Sequence, residues 1–385
     1  MSMTVFPRWY YSCNNKTFLD KISSIEESVD SNLPIYFHVP DYYEAFPMHV
    51  EPAESWQELC KQHAQEIRDS FDYVRISYSG GCDSGTVLDT FIYNNIHIDE
   101  ILCIRCGIKD ADYEIDQYAI PHINKIKNLI PKTKINIVTA TQKDYEELYN
   151  TPYWYEETYR EGESNASGFH FRLNNLFEDA IRYTQKNKTA HVFGREKPKL
   201  VYNKGRWYTY FMDLDVYQQP DKDLTKIVNF YIDKPKIHAK QCHSLLKAIK
   251  ENVPFYDFNK VTTYDKKYEK FWNKNSYRFL SKDSFPEKLM NFSFTKTPDL
   301  KLDNKQIYLY SEKDRLALKT MVKNRPDLVK KWQSSLNEFS LLADGKWFNA
   351  GRPEFGTIGI FSKFFCLDIK DTKTVDDLYP DGFKI

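Results

Sequence analysis

The sequence predicts an α/β protein, with a doubly wound, mainly parallel sheet followed by a mainly helical C-terminal region. Three observations predict it. Short β-prone runs alternate with stretches of helical period between residues 55 and 193, and strands separated by helices of that length pair in parallel with helices on the sheet faces. A glycine-rich turn, Ser79-Gly80-Gly81-Cys82-Asp83-Ser84, joins the first of those strands to the helix after it. Beyond about residue 220 helical period returns over 236–250 and 314–332.

Residues 1–54 carry several prolines and aromatics without a clear period, and are expected to form an irregular arm or cap. Ser55 and Glu58 make a capping box, and Trp56, Leu59, Cys60, His63, Ile67 and Phe71 follow at helical spacing. Tyr73–Tyr78, Ile101–Cys106, Ile135–Val138 and Ala190–Phe193 read as strands. Helices are expected over 86–92, 112–129 with a kink or restart at Pro121, 142–149 and 168–185. Leu200–Tyr208 reads as a hairpin turning at Asn203-Lys204-Gly205. The expected division is an arm at 1–54, a nucleotide domain at 55–220 and a substrate or specificity region at 221–385.

Composition narrows the class. The 385 residues exceed the roughly 100–200 of one ordinary domain. Lys and Arg together number 54, as do Asp and Glu, so no whole-chain basic field exists for gripping nucleic acid. The mean hydropathy is −0.63, and no apolar run approaches the roughly 18 residues of a spanning helix. The first eleven residues lack the apolar stretch of a secretory signal, so a reducing cytoplasm is expected. Cys103 and Cys106 form the one CxxC among seven scattered cysteines. Without a second pair or matching His ligands they are expected to be core thiols, with a redox or iron–sulfur role as the alternative.

The chemistry sits in residues 79–84. Two glycines let backbone approach an anion closely, and a helix starting near Ser84 adds its positive dipole end. Ser79 and Ser84 offer hydroxyls to phosphate oxygens. Asp83 would repel bare phosphate, so its presence points to a divalent cation bridging carboxylate and phosphates. The loop is not of the GxxxxGK[ST] kind. It resembles the SGGxDS loop of the ATP-pyrophosphatase (PP-loop) superfamily, the adenine nucleotide α-hydrolases, over all six positions. The likeness covers roughly 70–215 and looks closest to the phosphoadenosine phosphosulfate reductase-like branch. The segments also resemble uncharacterised PP-loop proteins encoded by bacteriophages, which would place the chain in the host cytoplasm.

The resemblance implies ATP and Mg²⁺ as cofactors and cleavage of ATP to AMP and pyrophosphate. It implies that Ser79 through Ser84 hold the phosphates, with Asp83 and Ser84 serving the chemistry. It further implies that backbone near Ile104 and Gly107 reads adenine. The loop after the fourth strand, Gly194-Arg195-Glu196-Lys197, is expected on the same sheet edge. There Gly194 would approach the nucleotide, Arg195 and Lys197 would neutralise departing pyrophosphate, and Glu196 would support the metal with Asp213, and Asp215 beside it. Lys240 and His243 lie on adjacent turns of one helix as candidate contacts for the second substrate, a small metabolite, nucleobase or nucleic acid; a plain surface helix is the competing reading. Three function classes compete: an adenylating enzyme, a sulfonucleotide reductase or sulfur-transfer enzyme using Cys103, Cys106 or Cys366, and a nucleotide-binding protein without turnover. Ser2 in place of an N-terminal cysteine, and the lack of a four-Cys zinc site or an ECGxH-like motif, argue against the glutaminase-fused, cyano-deazaguanine-forming and reductase branches.

Overall fold

A five-stranded parallel sheet runs through the middle of the chain, as seen in a computed structural model that describes residues 9–19, 21–105, 112, 114–139, 141, 188–194, 198–203, 205–211, 225–252 and 362–378. In chain order the described elements begin with β1 (Tyr10–Cys13), β2 (Lys16–Phe18), α1 (Lys21–Ser31), β3 (Tyr36–His38) and α2 (Asp41–Glu44). Then come α3 (Trp56–Ser70), β4 (Tyr73–Ser77), α4 (Cys82–Tyr93), β5 (Glu100–Arg105), a π-helical turn (Ile115–Ala119), α5 (Ile120–Ile126) and β6 (Lys134–Thr139). β7 (Thr189–Phe193), β8 (Lys199–Asn203), β9 (Arg206–Tyr210), β10 (Thr225–Asn229) and α6 (Pro235–Asn252) follow, with β11 (Phe364–Cys366), β12 (Thr372–Lys373) and α7 (Val375–Leu378) at the end. The helices expected over 142–149, 168–185 and 314–332 lie outside the described residues.

The sheet order is β10-β7-β4-β5-β6, and every neighbouring pair is parallel. The chain therefore fills one side of β4 with β5 and β6, then crosses to the other side with β7 and β10. The fold is α/β. Val74, Ile76, Ile101, Cys103, Ala190, Val192 and Val228 alternate along their strands and so share one face. They form a single apolar core with residues of α3, α4, the π turn, α5 and α6. The capping box at α3 is present in full: the Ser55 side chain accepts from the Glu58 backbone, and Glu58 accepts from the Ser55 N–H.

The opposite face of the same strands carries a buried polar group. The Arg75 guanidinium meets Glu100 Oε2 through Nη2 at 2.9 Å and Nε at 3.0 Å, and both side chains are fully buried. Tyr73 and Asn136 donate to the same carboxylate at 2.9 Å each. Ser77 Oγ lies 2.8 Å from His191 Nε2. Burial, with the Arg75 charge adding to it, pushes the His191 pKa well below the usual histidine value.

Two features differ from expectation. The stretch 9–44, expected to be irregular, builds a small antiparallel sheet of order β2-β1-β3. Its hairpin turns on Asn14 and Asn15, both at positive φ (50° and 58°), the backbone shape that suits a two-residue hairpin loop. Strands of three and four residues carry too few side chains to show a period. Furthermore, the parallel sheet runs past residue 220, because β10 pairs with β7 along its whole length. The expected hairpin β8–β9 turns at Gly205 (φ 83°) and continues through β11 and β12 into a four-stranded sheet. Among the described residues no helix is long and apolar enough to cross a membrane.

Glu100→Ala leaves the buried Arg75 charge without its carboxylate and takes the acceptor from Tyr73 and Asn136. Losing one partner of such a pair costs about 3–5 kcal/mol. Urea unfolding should show a loss of that order; a change under about 1 kcal/mol, the scale of a surface pair, would contradict the buried arrangement.

Candidate functional site

β4 and β7 lie side by side, and the chain leaves them toward opposite halves of the sheet. Crevices at such a reversal, outside the carboxyl ends of parallel strands, are where open α/β sheets bind ligands. Both loops singled out in the sequence emerge here: residues 79–84 after β4, and Gly194 after β7.

The loop is tied end to end. Ser79 N–H donates to Ser84 Oγ at 3.2 Å, and the two hydroxyls lie 3.2 Å apart. Gly81 N–H donates to Ser79 Oγ at 3.4 Å, and the Ser84 hydroxyl to the Gly81 carbonyl at 3.4 Å. Gly80 has φ 81°, a left-handed backbone that glycine adopts freely. A Cβ there would lie 2.8 Å from the Ala119 nitrogen and 2.9 Å from the Glu114 carbonyl oxygen, so the π turn seats directly on the loop. Single π turns inside helices are frequent at functional sites.

Gly81 is the N-cap of α4, and no side chain caps that helix. Cys82 opens the helix, Asp83 stands half-buried in its first turn, and the buried Ser84 follows. The positive end of the helix dipole therefore faces the loop. Gly194 closes the other side. A Cβ on it would lie 2.6 Å from the Asp83 carbonyl oxygen and 2.8 Å from Ser84 Cα. Only glycine permits this approach, so the structure brings Gly194 against residues 79–84.

Supporting contacts come from distant segments. Tyr78, the residue before the loop, is buried and its hydroxyl lies 2.7 Å from His122 Nδ1. His122 Nε2 is 3.6 Å from the buried Asp89 carboxylate on α4. Burial, then the Lys125 charge, lowers the His122 pKa. Tyr231, beyond β10, donates its hydroxyl to the Asp83 carbonyl at 2.7 Å. None of these has a local motif; the last contact joins residues 148 apart in sequence, and only the fold reveals it.

Ile104 lies at the carboxyl end of β5, one strand from β4, half-buried and in register with Val138. Gly107, Arg195, Glu196, Lys197, Asp213 and Asp215 lie outside the described residues. A hard cation takes carboxylate and phosphate oxygens together, and Asp83 in the first turn of α4 offers one carboxylate. Among the described residues no group of three His, Cys, Asp or Glu side chains gathers to hold a metal.

Lys240 and His243 are engaged by the segment before α3. Lys240 Nζ pairs with Glu51 at 2.6 Å and the Pro52 carbonyl at 3.1 Å, and His243 Nε2 lies 2.9 Å from the Met48 carbonyl. They fasten residues 48–52 to α6. Cys13, Cys60, Cys103, Cys242 and Cys366 are free thiols and buried. Cys103 is fully buried, and burial pushes its thiol up to about 12. Cys366 is buried in β11, while Cys106 lies outside the described residues. Compared with protein-family models and with curated proteins, the chain matches none.

Two measurements check this arrangement. Gly194→Ala overpacks the contact with α4 and should lower stability by about 1–3 kcal/mol in thermal or denaturant unfolding; no change would mean that the two loops do not touch. At pH 8, Cys103 should resist thiol reagents until the protein unfolds, because so little thiolate is present, and modification of Cys103 at the rate of a free thiol would contradict its burial.

Proposed function

We propose that the chain is an ATP-dependent adenylating enzyme of the PP-loop ATP-pyrophosphatase type, with ATP and Mg²⁺ at loop 79–84. The observation that carries the reading is the position of that loop. It lies at the reversal point of a parallel sheet, ahead of an uncapped helix N-terminus, with Gly80 left-handed and Gly194 packed on the first helical turn. The parallel order of β4 to β7 and β10 further supports a doubly wound fold of the adenine nucleotide α-hydrolase kind, with residues 221–385 as the mainly helical region that carries the second substrate.

In this reading the backbone N–H groups of the first turn of α4, with the Ser79 and Ser84 hydroxyls, receive the β- and γ-phosphates. Asp83 holds Mg²⁺, with Glu196 and Asp213 as further ligands; the ion supplies positive charge against the phosphates. Arg195 and Lys197 offset the charge that builds on the leaving group. Backbone near Ile104 and Gly107 meets adenine. A carboxylate, carbonyl or nucleobase oxygen of the second substrate attacks the α-phosphorus. The bond to the α,β-bridging oxygen breaks, and pyrophosphate leaves with that electron pair. AMP remains on the attacking oxygen until a nitrogen or sulfur nucleophile displaces it. Positioning and charge stabilisation are the protein's contribution. The second substrate is a small metabolite, nucleobase or nucleic acid, and the proposed setting is the cytoplasm.

The sulfur-transfer reading has less support, since Cys103 is buried and protonated and Cys366 is buried in a strand. A protein that binds nucleotide without turnover is separated by the assay itself. Pyrophosphate release from ATP, screened with pools of carboxylate, amide and nucleobase acceptors, should be detectable in the wild type. Asp83→Ala and Ser84→Ala should each lower kcat/KM by about 10²-fold or more, the usual effect of removing a charge-stabilising group. Unchanged ATP affinity and turnover in both variants would sink the proposal.

A further inference from the structure

We infer that Tyr231 is a positioning residue for the phosphate loop, aiming the Ser84 N–H through the Asp83 carbonyl; this rests on the reading of residues 79–84 as a nucleotide site. The Asp83 C=O and the Ser84 N–H belong to one planar peptide unit, so fixing the direction of the first fixes the second. The Ser84 N–H belongs to the first turn of α4, where N–H groups have no partner within the helix and point out of its N-terminal end. The Tyr231 hydroxyl donates to that carbonyl at 2.7 Å. On the same oxygen Gly194 makes its close approach, which leaves the peptide unit little room to rotate.

Tyr231 is itself held on every side. Its ring is buried and stacked on Trp56, with centroids 5.7 Å apart and planes 20° from parallel, and it meets Phe230 edge-on at 5.3 Å. Trp56 is the first residue of α3, fixed by the Ser55–Glu58 capping box. The turn that carries Tyr231 is closed by Ile232 N–H to the Asn229 carbonyl at 3.0 Å and by Asn229 N–H to the Asp233 carboxylate at 2.8 Å. From the N-terminal module, Tyr43 donates its hydroxyl to the Ile232 carbonyl. A donor aimed before the anion arrives costs no reorganisation when charge develops. The arrangement thus places a residue from beyond the expected nucleotide domain in control of a backbone donor inside it.

The test is Tyr231→Phe, which keeps the ring stacked on Trp56 and removes only the hydroxyl. Binding of ATP, inorganic pyrophosphate and adenosine is measured by calorimetry on the full chain, with circular dichroism confirming the fold. ATP and pyrophosphate should bind about tenfold more weakly, the scale of one hydrogen bond, and adenosine as tightly as to the wild type. A merely structural role would weaken all three together. That outcome, or ATP affinity equal to the wild type, overturns the inference while leaving the nucleotide site standing. A wild type that binds neither ATP nor pyrophosphate overturns the underlying reading, and this inference with it.

Discussion

The approach of Gly194 to the first turn of α4 is the constraint on which the site depends. It requires β4 and β7 to be adjacent, parallel and in register, with Ser77 opposite Phe193, so that the two strands release their chains at the same height. A methyl group at residue 194 would meet backbone, which cannot move aside as a side-chain tip can. The loop after β4 is therefore shaped from both flanks, by Gly194 on one side and by the π turn over Gly80 on the other. Elements as far apart in sequence as Trp56 and Tyr231 then bear on the same few atoms.

Parallel sheets are usually buried on both faces and read as continuous apolar runs. Here the helix-covered face obeys that rule, with Val74, Ile76, Ala190 and Val192. The other face places Arg75, Glu100 and His191 in full or near-full burial. Charges so placed are stable only when paired, which Glu100 provides for Arg75. Such a pairing specifies which strands lie together, because a one-residue slip would turn Glu100 to the sheet face opposite Arg75 and leave the buried guanidinium without its carboxylate. Specification of the β4–β5 register in turn fixes the height at which loop 79–84 begins.

The local signals in the sequence were the legible ones. Ser55 with Glu58 marked the start of α3, the apolar runs at 73–78, 101–106, 135–138 and 190–193 marked four of the parallel strands, and Asn203-Lys204-Gly205 marked the hairpin. Loop 79–84 and Gly194 were also legible, as a glycine-rich turn and a strand-end glycine, though their mutual contact was not. The rest depended on pairing at long range. β10 lies past an apparent change of composition, and its partner β7 is fixed only by the sheet. β11 joins β9 across more than 150 residues, as in the bond from Trp207 N–H to Asp368, 161 residues on. The small N-terminal sheet hides in strands too short to show alternation. Lys240 and His243 carry no sign in their spacing that their partners are Glu51 and Met48. Neutral net charge, uninformative alone, is compatible with the proposed site, whose positive potential would come from one helix end, Arg195, Lys197 and a bound Mg²⁺ rather than from an extended basic surface.

A structure of the chain with a non-hydrolysable ATP analogue and Mg²⁺ tests the central claim most directly. The expected result is a triphosphate seated between residues 79–84 and Gly194, with phosphate oxygens within hydrogen-bonding distance of the N–H groups at the start of α4. An analogue bound elsewhere on the chain, or a loop 79–84 unchanged and empty at saturating analogue, would contradict it.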